Sequence, residues 1–202
     1  MPNRPVLDFW YELASPYACL SALRIESLAE EAGVNLRWRP FLLGPIFAAQ
    51  GWSTSPYQLY PAKGRYMWRD TARRARKQGV EFAKPAEFPQ NSLAATRLAL
   101  AGREEGWGPA FSKALFRAQF GEGLNIADEA VLSAALKEAG RDPGATLPLA
   151  RNDEIRARLK AETEYAKSLG IFGAPFFITG DGEPFWGDDR LEEALEWARE
   201  GG

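Results

Sequence analysis

The chain has 202 residues, enough for one large domain or one domain with a substantial insertion, and seven Trp and twelve Phe supply bulky core filling, so disordered and fibrous classes are excluded. A formal net charge of −2 without one long basic block leaves no electrostatic footprint for nucleic acid. With no histidine and a single cysteine, Cys19, the inventory excludes Ser-His-Asp chemistry, metal hydrolysis and an intrachain disulfide.

The start, Met1-Pro2-Asn3-Arg4-Pro5, carries no signal-peptide pattern, and no apolar run approaches the roughly 18 residues of a membrane span; cytoplasmic residence is expected. Residues 5 to 11 are almost continuously apolar and aromatic, as in a central strand covered on both faces. Ser15-Pro16 reads as an N-cap followed by proline at the first helical position. Ala18, Ala22, Ile25, Ala29 and Ala32 then form one stripe ending at Gly33, which predicts a single helix. Val34, Leu36 and Trp38 alternate with polar residues up to Pro40, the pattern of a second strand. The opening is therefore β-α-β, with parallel strands and a right-handed crossover.

Residues 41 to 57 are rich in Gly, Pro and Ser, after which helical patterns dominate from about Tyr57 to Leu169, with no strand. Helices are expected near 62–79, 91–105, 108–120, 128–140 and 152–169, punctuated by Lys84-Pro85, Gly106 to Pro109 and Asp142-Pro143-Gly144. The basic residues Arg69, Arg73, Arg74, Arg76 and Lys77 are read as a solvated helix face. Phe176 to Thr179, a Gly180-Asp181-Gly182 turn and Pro184-Phe185-Trp186 predict a hairpin. Leu191, Ala194, Leu195 and Ala198 predict a last helix, with Asp188 and Asp189 at its N-terminus. The order implies an α/β mixed sheet with an all-helical insertion and a cleft between the two parts.

A strand followed by Ser15-Pro16-Tyr17-Ala18 at a helix start resembles the DsbA branch of the thioredoxin fold, whose redox members carry Cys-x-x-Cys there. Ser15 and Ala18 fill both cysteine slots and Cys19 falls one residue late, so disulfide exchange is lost. Gly173-Ala174-Pro175-Phe176, Trp186-Gly187-Asp188-Asp189-Arg190 and Pro61-Ala62-Lys63-Gly64-Arg65-Tyr66 narrow the resemblance to 2-hydroxychromene-2-carboxylate isomerases and kappa-class glutathione transferases, over essentially the whole chain. The resemblance implies a thioredoxin-like βαβ…αββα sheet domain from residues 1–56 and 165–202, with residues 57–164 as the helical insertion.

It further implies glutathione as cofactor, with Ser15 donating its hydroxyl to the glutathione sulfur and Pro16 and Tyr17 beside it. Ala174-Pro175 would be a cis junction lining the tripeptide, although a trans proline opening a strand fits the residues alone. Trp186 would be half core and half site wall, with Gly187 beside it in the cofactor site; backbone N–H groups near Asp188 and Asp189 would hold the γ-glutamyl carboxylate and an aspartate its ammonium group, while capping of the last helix is an equal reading of the two aspartates. Lys63, Arg65 and Tyr66 match positions near the organic substrate, an aromatic-derived acid. Two departures fall in the substrate half: Gly44 to Phe47 has no lysine, and Gly51 to Ser55 has no asparagine, where the isomerases commonly carry them. Cys19 reads as a small buried residue. The implied protein is a homodimeric, glutathione-dependent isomerase of aromatic catabolism; a kappa-like transferase or peroxidase, or a non-catalytic peptide-binding module, are the alternatives.

Overall fold

The computed structural model describes residues 4–201; Met1 to Asn3, on which the leader expectation partly falls, and Gly202 lie outside them. Strand β1 (Val6–Tyr11) is central in a four-stranded sheet of order β2-β1-β3-β4. It pairs in parallel with β2 (Asn35–Pro40) and antiparallel with β3 (Phe176–Thr179), which turns into β4 (Pro184–Trp186) as the predicted hairpin.

The near-continuous apolar run of β1 is explained by burial on both faces. Leu7, Phe9 and Tyr11 enter the main core with α1 (Pro16–Ala22), α2 (Ile25–Ala32), α7 (Gly108–Phe120) and α11 (Leu191–Glu200). Trp10 points the opposite way, into a second cluster of Phe41, Ile46, Ala166, Ile171 and Phe176, as the period-2 geometry of a strand requires. Each such side chain contributes about 1.5–3 kcal/mol on burial. The main core also takes residues from α6 (Leu93–Glu105) and α8 (Glu129–Glu138), so the segments between β2 and β3 share one interior with the sheet.

Most helix expectations correspond to observed elements: α5 (Pro61–Gln78), α6, α7, α8 and α10 (Asp153–Ser168). Three differ. The single helix expected from Ser15 to Gly33 breaks at Leu23 and Arg24, where Arg24 N–H turns to the Ser21 carbonyl and the Arg24 guanidinium reaches Asp188. The stretch before residue 62, where no helix was expected, contains α3 (Leu43–Ala49) and α4 (Pro56–Leu59). The first amide of α3 is satisfied from far away in sequence, because Leu43 N–H donates to Glu12 Oε2 at 3.0 Å, which local pattern cannot show. Helix α4 does carry a local signal, Ser55 capping Tyr57 N–H with Pro56 at the first position. Finally, α9 (Pro143–Thr146), capped by Asp142, and a 3₁₀ turn over Leu147–Arg151 occupy a stretch read as punctuation.

Among the described residues no helix is long and apolar enough to cross a membrane.

Candidate functional site

The chain leaves the C-terminal end of β1 through Glu12, Leu13 and Ala14 and enters α1 at Ser15. Ser15 is extended (φ −93°, ψ 117°), and its Oγ accepts Ala18 N–H at 3.2 Å, with Pro16 fixing the first helical position. The Ser15 hydroxyl donates at 2.9 Å to the Ala174 carbonyl. Ala174–Pro175 is a cis peptide bond, as is Phe88–Pro89. Gly173 is required here by space: a Cβ on it would lie 2.5 Å from Trp186 Nε1, so the Nε1 edge of Trp186 packs against bare backbone.

Ser15, Pro16, Ala174 and Trp186 line a cavity of about 600 Å³. Its other walls are α3 and the segment after it (Leu42 to Pro56), Tyr57, and the Phe88–Leu93 turn that leads into α6. Phe47 and Trp52 pack at 5.6 Å, and Phe172 meets Trp186 edge-on at 4.8 Å on the rim, where both are about half-exposed.

Glu12 lies in this wall and sequence reasoning gave it no role. Its carboxyl is buried and accepts from Ser92 Oγ at 2.5 Å, Leu43 N–H at 3.0 Å and Ala14 N–H at 3.3 Å. One side chain thus ties the end of β1 to the starts of α3 and α6. Burial raises its pKa above the ordinary carboxylate value, opposed by the bond from Ser92 and the backbone donors. A carboxyl whose pKa is higher folded than unfolded binds more protons in the folded state across that interval, so its contribution to stability declines as pH rises from the unfolded value through the folded one. Glu12→Gln is expected to flatten that decline; urea unfolding at pH 5 and pH 8 that shows the same loss in both proteins would assign the slope elsewhere.

The remaining expected site residues are placed apart from this cavity. The Tyr17 hydroxyl donates to Asp70 Oδ2 at 3.0 Å, and its pKa is raised by burial and then by the Asp70 charge. Asp188 is 1 % exposed, and its carboxylate accepts from Ser21, Arg24, Arg74 and Gln78 at 3.0–3.3 Å. Neither Asp188 nor Asp189 caps α11 through its side chain: Arg190 occupies the cap position of α11, and Gly187 that of the 3₁₀ turn Asp188–Arg190 before it. The capping alternative is therefore corrected, because the Asp188 carboxylate turns inward to the two guanidinium groups. Asp189 is half-exposed and lies 3.7 Å from Arg74. Gly187 carries φ 113°, a conformation that favours glycine, and its N–H bonds the Pro175 carbonyl.

Lys63 is exposed with its ammonium 4.9 Å over the Tyr60 ring, and Tyr66 is exposed beside Arg73. Arg65 lines a separate pocket of about 250 Å³ with Lys84 and Trp68. The motif glycine between Lys63 and Arg65 has a packing reason: a Cβ on Gly64 would meet the Tyr57 carbonyl at 2.3 Å, so it lets α5 approach α4 and sets Tyr57 in the cavity wall.

Cys19 faces the core at 1 % exposure with Sγ 3.8 Å from the Phe116 carbonyl, and its pKa is pushed up by burial, then by the Asp188 charge. It should react with a thiol reagent only as fast as the protein opens. Rapid stoichiometric labelling of the native protein would contradict that placement. Among the described residues no group of three or more His, Cys, Asp or Glu side chains is placed to hold a metal.

A family model described as the DSBA-like thioredoxin domain matches residues 6–196. A 2-hydroxychromene-2-carboxylate isomerase of Sphingobium xenophagum is 27 % identical over 187 residues, covering 92 % of this chain and 94 % of that protein. Glutathione S-transferase kappa 2 of Caenorhabditis elegans is 23 % identical, covering 99 % and 94 %. A solved 2-hydroxychromene-2-carboxylate isomerase structure superimposes with a TM-score of 0.85 at 26 % identity, over 96 % of this chain and 93 % of that one. With the sheet order, the serine at the α1 entry and a family match over nearly its whole length, the chain belongs to the DSBA-like thioredoxin-domain family.

Proposed function

We propose that this protein is a glutathione-dependent isomerase of the 2-hydroxychromene-2-carboxylate type, acting on an unsaturated, aromatic-derived acid. The observation that carries the reading is Ser15: a hydroxyl held at a helix entry, opposite the Ala174 carbonyl, on the wall of an apolar cavity large enough for a small aromatic molecule.

Ser15 at the start of α1 supports the reading at the sulfur end of the tripeptide. The Ser15 hydroxyl proton can swing from the Ala174 carbonyl to an incoming sulfur at the positive end of α1, where the Ser15 and Ala18 amides are already bonded to Glu12 and Ser15. The Ala174 backbone lines the cavity beside Ser15, and Trp186 lines it on the same side. When bound, glutathione would supply a thiolate able to add reversibly to an unsaturated carbon, with Ser15 holding its sulfur. What the chain contributes is a lowered thiol pKa, a common position for sulfur and acceptor, and walls that displace water. A hydrogen bond to a charged group is worth about 1.5–3 kcal/mol, and one pKa unit is 1.36 kcal/mol, so a thiol near 8.5 should titrate about one to two units lower in the complex.

Titration of reduced glutathione, followed by calorimetry and by thiolate absorbance, tests this. Heat of binding with a thiolate midpoint about one unit or more below that of free glutathione is the expected result; no binding at millimolar glutathione would remove the reading and leave a peptide-binding module. A kappa-like transferase shares the thiolate and differs in consuming glutathione during turnover, which product counting resolves.

A further inference from the structure

A second space adjoins the main cavity. Arg65 of α5 and Lys84 line the pocket of about 250 Å³ together with Gln58 and Trp68, and its described lining holds no carboxylate. Tyr57 and Phe88 line both spaces, so the pocket and the cavity share a wall. Phe88 is fixed at that wall from two sides: its ring meets Trp68 edge-on at 4.8 Å, and its carbonyl accepts from the Gln58 amide. The Lys84 ammonium stands 5.7 Å from the centre of the Trp68 ring. Arg73 and Arg74, further along α5, are paired with Asp70, whereas Arg65 and Lys84 have no carboxylate partner among the described residues.

We propose that this pocket takes the carboxylate of the acceptor acid while the aromatic part lies in the main cavity, with Tyr57 and Phe88 at the junction. This rests on the reading above for the identity of the ligand as an aromatic-derived acid.

The two spaces match the two ends of such an acid. Phe47, Trp52 and Leu93 give the cavity an apolar wall for the ring. Arg65 and Lys84 are exposed, so a carboxylate that reaches them gains charge-assisted contacts and stays partly hydrated, which avoids the cost of burying an anion. The Arg65 guanidinium suits bidentate contact with a carboxylate, and the Lys84 ammonium adds a point charge. Lys63 and Tyr66 line neither space, so of the three basic and aromatic residues in the Pro61 to Tyr66 motif Arg65 alone keeps the expected substrate contact. Ser53, Thr54 and Asn91 are the competing donors, because they line the main cavity.

The test is calorimetric titration of 4-phenylbutanoate and its methyl ester, a saturated pair to which no thiol adds, into the wild type, Arg65→Gln, Lys84→Gln, the double variant and Trp52→Ala. The acid is expected to bind the wild type at least about tenfold more tightly than the ester. Each single charge removal is expected to weaken the acid about threefold or more, and the double variant about tenfold or more, with the ester moving less than about threefold. Trp52→Ala is expected to weaken acid and ester alike, by about threefold or more. No preference for the acid, no binding of the acid at millimolar concentration, a preference that survives in the double variant, or a Trp52→Ala that leaves both ligands unchanged each overturn the proposal. A preference that survives would assign the carboxylate to Ser53, Thr54 and Asn91. Glutathione is titrated into the same proteins: a loss in the double variant at least as large for glutathione as for the acid would assign the pocket to a tripeptide carboxylate and also overturn the proposal. If glutathione fails to bind the wild type while the acid arms succeed, the isomerase reading falls and the carboxylate pocket stands. If glutathione binds with a lowered thiol midpoint while the acid arms fail, the pocket assignment falls and the isomerase reading stands.

Discussion

Ser15→Ala is expected to abolish the glutathione thiolate signal at neutral pH and lower kcat/KM for thiol-dependent turnover by at least about 100-fold, the scale for removing one donor aimed at developing negative charge, about 2.7 kcal/mol or more. The loss should sit in kcat and in the thiol midpoint, which returns toward about 8.5, more than in glutathione affinity, because the Ala174 backbone and the Trp186 flank remain. The same hydroxyl caps α1 through Ala18 N–H, so the variant also loses about 1 kcal/mol of stability, or about 2–4 °C in Tm for a chain of this size. A variant that folds, binds glutathione and still shows a depressed thiol midpoint would show that another group activates the sulfur.

Asp188→Ala should be the most damaging single change to stability among the residues discussed here. Its carboxylate is fully enclosed and joins Ser21 and Arg24 on the α1–α2 side to Arg74 and Gln78 on α5. Removing it strands two guanidinium groups whose side chains are only 20 % and 30 % exposed. Breaking a buried pair from one side costs about 3–5 kcal/mol. Partial exposure of both arginines places this case at the low end, about 3 kcal/mol, and about 6–12 °C in Tm. Thermal unfolding of Asp188→Ala and Asp188→Asn measures it. A fall below about 2 °C in both would mean that solvent already shares the load. Because α5 is held to the rest of the protein through Arg74, loosening here should also reach Tyr57 at the cavity wall, through the Gly64 contact between α5 and α4.

These two residues show how far single-sequence reasoning reaches. Ser15 was legible because a cap and a proline form a local signal, and its place after a buried strand gave that signal a second meaning. Asp188 was legible only as an acidic residue near a helix start. The basic run on α5 read as a solvated face, and the structure makes the same run half structural: Arg74 serves Asp70, Asp188 and Asp189, while Arg73 stays at the surface. No pattern within α5 distinguishes those two arginines, since the distinction comes from a turn more than 100 residues away.

The sequence by itself determined the elements whose stabilising contacts are local or periodic. These are the doubly covered β1 with its alternation of core faces, the parallel β2, the hairpin, the long helices, the cap at Ser15, and the loss of the thiol pair. The tertiary structure decided what depends on distant partners. It set the break after α1, which brings Arg24 to Asp188, and the formation of α3, whose first amide is satisfied by Glu12. It also decided the inward turn of Asp188, and the separation of Lys63, Arg65 and Tyr66 from the main cavity. Periodicity records which face of an element is buried, whereas a buried carboxyl is stabilised only by donors that the fold delivers from elsewhere in the chain.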